Sequence, residues 1–427
     1  MNAFALKLLA PQDRGLEIGE IRNFLSQVLD ACGEAGDTLL LPPDMTRLHS
    51  GANVLARELY ALIHQRTPSA QVKVMPALGT HDPMSKEERL AFFGDSIPDD
   101  AYLVHDWKNG VEKIGEVPAS YVKEVSEGLM NEDIVIQVNR ELLKPEYKAI
   151  FSLGQVVPHE VVGMANYTKN ILVGVGGNSI INQSHMLGAM YGMERMMGRM
   201  DTPVRKVFDY AQEHFLSKLP LVYILTVTTN TPEGVQIHGL FAGTTRKPYE
   251  EACALAKEKN LIFVDKPFQK CVVYLDPTEF KSTWLGNKAI YRTRMAMAQD
   301  GELIILAPGV RKFGEDPEND RLIRKYGYVG REKVIELFGN EKDLQTNQSV
   351  AAHLIHGSSD GRFSITYATT HLTKEEVEGV AFRYMPYEEA VKRYDPNQLK
   401  DGYNTLPDGE EIFYISNPAL GLWSKPF

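Results

Sequence analysis

Short apolar runs alternate with stretches in which apolar residues recur every three or four positions, and this alternation continues along most of the chain. A period near two gives way to a period near 3.6 and back again, the pattern of strands alternating with helices that pack on them. The fold class it predicts is α/β, built on largely parallel sheets. In the first half, residues 38–42, 71–77, 133–138, 148–153 and 219–228 read as strands, and 52–65, 86–93, 182–199 and 249–259 as helices. In the second half, strands are predicted at 271–275, 302–306 and 363–367, and helices at 287–298, 317–325 and 332–338. Two α/β domains follow: a large one over residues 1–266 and a smaller one over 267–402, with a closing segment at about 403–427 that is free to pack back on the first. No Pro/Gly/Ser-rich linker separates the two domains, which predicts close packing and an active site in the interdomain cleft.

Composition narrows the classes of partner. At 427 residues the chain exceeds one ordinary core. Its 46 Lys and Arg against 56 Asp and Glu leave a net charge of −10, which opposes nonspecific binding to nucleic acid or anionic membranes. The cysteines, Cys32, Cys253 and Cys271, are odd in number and widely spaced, so neither a disulfide framework nor a zinc ribbon is expected, and a reducing cytoplasm is the expected location. Residues 4–10 are apolar but broken by Lys7 and not followed by a small-residue cleavage site, so they do not read as a signal peptide. No run reaches the length of a membrane span.

Several motif matches fail on context. Gly357-Ser358-Ser359-Asp360-Gly361 fits G-x-S-x-G, but it lies between a helix and a strand, the reverse of a nucleophile elbow. His159-Glu160 starts an H-E-x-x-H string that Gly163 interrupts. Gly174-Val175-Gly176-Gly177 lacks the Lys-Ser/Thr of a P-loop and the third glycine of a dinucleotide fingerprint, while still able to offer backbone N–H groups to one phosphate. His353 and His356 share a helix face and read as an exposed pair.

What survives is a concentration of reactive side chains just past predicted strands. Asp44 and Arg47 follow the strand at 38–42, His81 follows 71–77, and His159 follows 148–153; Lys169, the glycine cluster and His185 come next. Carboxyl ends of parallel strands converge on one crevice, so these residues are expected to share one site.

These residues resemble the nickel-pincer lactate racemase family of 2-hydroxy acid racemases and epimerases. The resemblance rests on Asp44-Met45-Thr46-Arg47, Leu78-Gly79-Thr80-His81, Pro158-His159, Lys169 and Asn182-Gln183-Ser184-His185, with Lys169 ten residues after His159 and sixteen before His185. It implies that Lys169 becomes tethered through a thioamide to a nickel-bearing pyridinium-3,5-bisthiocarboxylic acid mononucleotide, with His185 as the protein ligand to nickel. It further implies that Gly174, Gly176, Gly177, Asp44 and Thr46 line the cofactor, that His81 and His159 are the acid/base pair, and that Arg47 anchors the substrate carboxylate. Separate cofactor-biosynthesis proteins would then be needed for loading. Hydride removal suits such a substrate, because removing the C2 hydrogen as a proton would build charge beside an existing carboxylate.

The chain departs from the lactate-type pattern before the lysine and in the second domain, where a tryptophan of those members also has no counterpart and Asn347 or a neighbour stands instead. Asn166-Tyr167-Thr168 stands where those members carry a glycine pair before the lysine. Tyr291-Arg292-Thr293-Arg294-Met295 replaces a Tyr-Gln pair and a downstream lysine, which makes Tyr291, Arg292 and Arg294 candidate substrate contacts. The added hydrogen-bonding groups suit a polyhydroxylated substrate, so C2 epimerisation of a sugar acid, gluconate to mannonate, is the expected reaction. A racemase of malate or lactate is the alternative within the family; a zinc-dependent hydrolase and a non-catalytic metal- or cofactor-binding protein are the alternatives outside it.

Overall fold

The computed structural model describes residues 2–12, 14–33, 36–231 and 234–426. Contacts divide the chain into two units: Met1–Leu187 with Arg195–Asn260, and Gly188–Glu194 with Leu261–Phe427.

The first unit contains strands β1 (Ala5–Leu9), β2 (Thr38–Leu41), β3 (Val72–Val74), β4 (Val111–Val117), β5 (Ile134–Asn139), β6 (Ala149–Gln155), β7 (Pro158–His159), β8 (Gly163–Met164), β9 (Leu221–Thr231) and β10 (Gly234–Gly243). Its helices are α1 (Ile18–Cys32), α2 (Ala52–Arg66), α3 (Lys86–Phe93), α4 (Ala119–Val125), α5 (Asn178–Tyr191), α6 (Pro203–Ala211) and α7 (Lys247–Asn260). Six strands form one sheet in the order β1-β10-β9-β6-β2-β3. β3, β2, β6 and β9 run parallel, while β10 is antiparallel to β9 and β1 to β10. The central strands are buried on both faces, which is why β2 and β6 read as continuous rather than alternating apolar runs.

One face of the sheet, with Phe151, Leu153, Val222 and Ile224, packs against Phe24, Leu25 and Val28 of α1 and Leu55, Leu59 and Ile63 of α2 in a single core. The apolar periodicity of these helices is thus the imprint of that face. The strand predicted at 133–138 forms as β5 but pairs antiparallel with β4 in a separate ribbon. The helix predicted over 182–199 runs instead from Asn178 to Tyr191, where Gly192 turns left-handed at φ 98° and ends it.

The second unit is also α/β. Its strands are β11 (Leu261–Phe263), β12 (Phe268–Tyr274), β13 (Met297–Ala307), β14 (Phe363–Thr369), β15 (Arg383–Pro386), β16 (Gly402–Thr405), β17 (Glu411–Ile415) and β18 (Leu422–Ser424). Six of them form a sheet in the order β15-β14-β13-β12-β17-β16, parallel except for β16. This unit takes in β16, β17 and β18 of the closing segment. Phe413 of β17 stacks on Phe268 at 4.0 Å, and β18 pairs with β11. The helix predicted over 287–298 is interrupted: α8 (Thr283–Gly286) and α9 (Lys288–Thr293) are short, and the chain is extended from Met297 because β13 has a parallel partner on each side. No helix among the described residues is long and apolar enough to cross a membrane.

Candidate functional site

In the first unit the carboxyl ends of three neighbouring parallel strands deliver the predicted side chains. After β2, Asp44 caps a short 3-10 helix (Met45–Ser50); its Oδ1 accepts from the Thr46 amide at 3.0 Å and the Thr46 hydroxyl at 2.5 Å. After β3, Gly79 takes a left-handed φ of 59° and the chain turns to present His81. His81 Nδ1 lies 2.5 Å from Asp44 Oδ2. Burial raises the Asp44 pKa, but its bonds to His81 and Thr46 and the nearby Arg47 charge outweigh that and hold the carboxyl below its ordinary value. An ionised carboxylate only accepts, so His81 Nδ1 carries a proton and, in the neutral ring, Nε2 carries the lone pair. Half of the His81 side-chain surface, 50%, is exposed, so that lone pair belongs to an accessible group.

His159 is held the other way. It follows β6 on the two-residue strand β7, paired with Gly163 of β8. The Val161 amide donates to His159 Nδ1 at 3.1 Å, so Nδ1 holds the lone pair and the neutral ring carries its proton on Nε2. Glu160 Oε2 stands 3.7 Å from the same nitrogen, beyond hydrogen-bond reach. The two candidate acid/base histidines are thus opposite tautomers.

Lys169 follows the turn after β8 and begins a π-helical stretch (Asn170–Gly174). Among the described residues no hydrogen bond or salt bridge is recorded for its amine. Burial and the neighbouring Arg47 and Arg205 charges pull its pKa down to about 8, against opposing pulls from Glu160 and Asp44. His185, on α5, donates from Nδ1 to the Ile181 carbonyl at 2.6 Å, which leaves Nε2 as a lone-pair donor. Burial lowers its pKa, with Lys169 acting in the same direction and Glu160 against it. These mutual influences place Asp44, Arg47, Lys169, Glu160 and His185 in one electrostatic neighbourhood, which His81 joins through Asp44 and His159 through Glu160. Glu160, which in the sequence belongs only to an interrupted H-E-x-x-H string, joins the site through its charge.

The glycine cluster has a reason of its own. A Cβ on Gly176 would overlap the Leu172 carbonyl, one on Gly177 would lie 2.6 Å from Gln137 Oε1, and one on Gly174 2.8 Å from the Ala77 Cβ. Gly174 O accepts from the Gly79 amide at 2.8 Å, tying the loop that presents His81 to the stretch after Lys169. Buried His105 accepts at Nδ1 from Asn139 and donates from Nε2 to Gly176 O at 3.0 Å, with burial holding its pKa down to about 4. The Gly177 amide is engaged by Gln137 O. Close packing of the protein on itself therefore accounts for these glycines before any phosphate is considered.

In the second unit, Arg294 is 2% exposed and fully engaged: Nε with Glu194 at 2.7 Å, Nη2 with Asp360 at 2.9 Å, and Nη1 with the Ser358 carbonyl at 3.0 Å. It is a structural ion pair, not an open anion contact. Arg292 is half-buried on α9, and its Nε has no hydrogen-bond partner among the described residues. Tyr291 is buried on the same short helix. His353 and His356 are buried rather than exposed; His353 stacks on Trp284 at 4.2 Å and bonds the Tyr328 hydroxyl at 2.9 Å. The G-x-S-x-G match is a turn, with Asp360 and Gly361 left-handed and Ser358 hydrogen-bonded to the Leu354 carbonyl.

Among the described residues no group of three His, Cys, Asp or Glu is placed to hold a metal ion, so the donor set of a hydrolytic zinc centre is not assembled. A metal that brings most of its own donors and asks the protein for one imidazole and one amine is a different requirement. His185, oriented through Nδ1, and Lys169, its amine pKa drawn down to about 8, fit it.

Two α/β units, the first gathering histidines, a lysine and an arginine past the ends of parallel strands, define a class of site suited to proton transfer on an anionic substrate. The comparisons with known proteins narrow it. Residues 26–198 match the lactate racemase N-terminal domain family. A lactate racemase of Thermoanaerobacterium thermosaccharolyticum is 26% identical over 200 residues, which is 46% of this chain and 42% of that relative, so the match spans less than half of the relative's length. A Thermotoga maritima protein of known crystal structure is similar over 98% of this chain and 100% of its own, with a TM-score of 0.81 and 25% identity. The lactate racemase apoprotein of T. thermosaccharolyticum shares the fold over 94% of this chain and 92% of its own, with a TM-score of 0.71 at 17% identity. Residues 26–198 are thus similar to the lactate racemase N-terminal domain family, and the chain shares the fold of the lactate racemase apoprotein.

Proposed function

We propose that the protein is an isomerase that inverts C2 of a 2-hydroxy acid by reversible hydride transfer, with a nickel-pincer nucleotide as its cofactor and a sugar acid as its substrate. The observation that carries this reading is the occurrence of Lys169, an amine with a pKa near 8, in one electrostatic neighbourhood with His185, whose Nδ1 bond leaves the lone pair on Nε2. Lys169 would hold pyridinium-3,5-bisthiocarboxylic acid mononucleotide through a thioamide and His185 its nickel; bound there, the group supplies an acceptor for the C2 hydride.

The chain's own residues do the rest. Arg47, exposed beside Asp44, meets the substrate carboxylate with a guanidinium fork. His81 Nε2, its lone pair fixed by Asp44, takes the hydroxyl proton of one isomer. His159 returns a proton from its imidazolium form and ends neutral, and the roles exchange for the opposite isomer. Imidazoles serve both directions because their ordinary pKa lies near neutrality.

For the substrate, Arg292, half-buried on α9, remains the candidate from the second unit, since Arg294 is engaged elsewhere. A polyhydroxylated acid uses such donors, whereas lactate leaves them unpaired. A racemase of a smaller acid is the second reading, favoured by the activity in the name of the partial relative. The deciding experiment is intact-mass and nickel analysis of protein loaded with cofactor, followed by incubation with gluconate, malate and lactate while C2 label is followed. Added mass on Lys169, turnover highest with gluconate and largely retained label are expected. An unmodified Lys169 in active protein would remove the cofactor reading, and lactate turnover above gluconate would remove the substrate.

A further inference from the structure

Lys169 is delivered by an unusual turn. Asn166 and Tyr167 are consecutive and both left-handed, with φ of 62° and 56°, although neither is glycine. That conformation is tolerated by Asn and strained for a bulky Tyr, and it persists only where the surroundings over-determine it. Those surroundings centre on Arg205 of α6, which is 0% exposed. Its Nη2 donates to the carbonyls of Met164 at 2.8 Å and Asn166 at 3.2 Å, and its Nη1 donates to the Thr168 hydroxyl at 2.5 Å. One planar guanidinium thus grips the chain before, within and after the strained pair.

Aromatic packing completes the grip. The Tyr167 ring stacks on Tyr249 at 5.1 Å and meets Tyr223 at 4.4 Å, and the Arg205 guanidinium lies 4.4 Å from the centre of the Tyr249 ring. On the far side, Asn170 Nδ2 donates to the Leu41 carbonyl at 3.0 Å and to Ser152 Oγ at 2.9 Å, docking the turn on the sheet. No carboxylate lies within salt-bridge distance of Arg205 among the described residues, so the buried cation is held by carbonyls, a hydroxyl and ring faces, while its Nε has no hydrogen-bond partner among those residues. Well-packed apolar residues commonly replace a buried charge without loss of stability, so this charge calls for a reason other than stability.

We infer that Arg205 is a positioning residue for Lys169: it clamps the left-handed Asn166-Tyr167 turn and so fixes where the amine stands relative to His185. The inference rests on Lys169 being the reactive amine of the proposed site, and it concerns only how that amine is placed. Arginine is required for its geometry. A lysine at 205 keeps the charge but cannot grip three oxygens in one plane.

The test uses the full-length protein before cofactor loading. Lys169 is acetylated with a small N-hydroxysuccinimide ester at alkaline pH, and its extent of labelling is divided by that of exposed Lys374 in the same digest. Arg205→Lys should lower this ratio at least threefold while far-UV circular dichroism stays native. Thr168→Val, which removes one of the three contacts and keeps the cation, should lower it less. Asn166→Gly, which lowers the backbone cost at the first of the two left-handed positions, should restore part of the ratio in the Arg205→Lys background. A folded Arg205→Lys protein with an unchanged ratio overturns the inference, as does a glycine at 166 that restores nothing. Should Arg205→Lys fail to fold, an unchanged ratio in Thr168→Val decides against it. The mass of Lys169 in loaded, active protein tests the cofactor reading separately, so either result can fail without the other.

Discussion

Asp44 and His81 lie 37 residues apart in sequence and 2.5 Å apart in space, Oδ2 to Nδ1, because the strands that precede them are neighbours in one parallel sheet. The pair sets the direction of His81: with Nδ1–H directed at the carboxylate, Nε2 is the only site that can accept a proton. Asp44→Asn keeps the shape and removes the obligate acceptor, since an amide can turn its NH₂ toward the ring and favour the wrong tautomer. Turnover should fall by about 10²-fold or more, within the range general acid–base catalysis contributes, with little change in KM. A variant retaining more than a third of wild-type turnover would show that His81 needs no such orientation.

The opposite settings of His81 and His159 make a spectroscopic prediction independent of activity. In histidine-labelled protein above pH 8, the ¹⁵N spectrum should show one ring protonated at Nδ1 that becomes mobile in Asp44→Asn, and a second, His159, protonated at Nε2. Finding both rings in the same tautomer would dissolve the division of labour proposed for them.

Much of the site was legible because each chemical group sits just past a strand, and strands are written in the sequence as buried apolar runs. Thr38–Leu41 and Ala149–Gln155 announce themselves, and their order in the sheet brings Asp44 and His159 into one neighbourhood. What could not be read depends on partners distant in sequence. Nothing local distinguishes Arg292 from Arg294, yet Glu194, 100 residues away, engages only the latter. The apolar stretch from Met295 to Ala298 has helical propensity, and only parallel pairing with β12 and β14 turns its end into a strand. Asn166 and Tyr167 offer no hint of left-handed backbone, because the clamp that imposes it comes from Arg205. For His353 and His356, helix periodicity reports a shared face but not that the face is covered.

The two second-unit arginines should separate in kinetics. Arg294→Met removes a partner from Asp360 and one of two arginines from Glu194, which keeps Arg362, and should cost about 2 kcal/mol, the scale of hydrogen bonds to charged groups, while KM stays within about twofold. Arg292→Met should leave stability nearly unchanged and raise KM for a sugar acid by about tenfold, with a smaller effect on lactate. Denaturation midpoints and initial rates on the same preparations decide. A large KM effect at Arg294 with unchanged stability would return that residue to the substrate site.

Lys169 carries a stability signature whose sign can be worked out. Its folded pKa of about 8 lies below the ordinary 10.5, so between these values the unfolded chain binds more protons than the folded one, and stability rises with pH. The cost of holding the ammonium in place is fully present below about pH 8 and disappears as pH approaches the unfolded value. Lys169→Met removes that cost. Before cofactor loading, the variant should melt about 2–4 °C above wild type at pH 7, and the gap should close toward pH 10. A gap that is constant across this range would mean the substitution acts through packing alone. A variant less stable than wild type at pH 7 would mean that the attractions of Glu160 and Asp44 outweigh burial, and that the amine is an ordinary charged lysine rather than one held ready for covalent attachment.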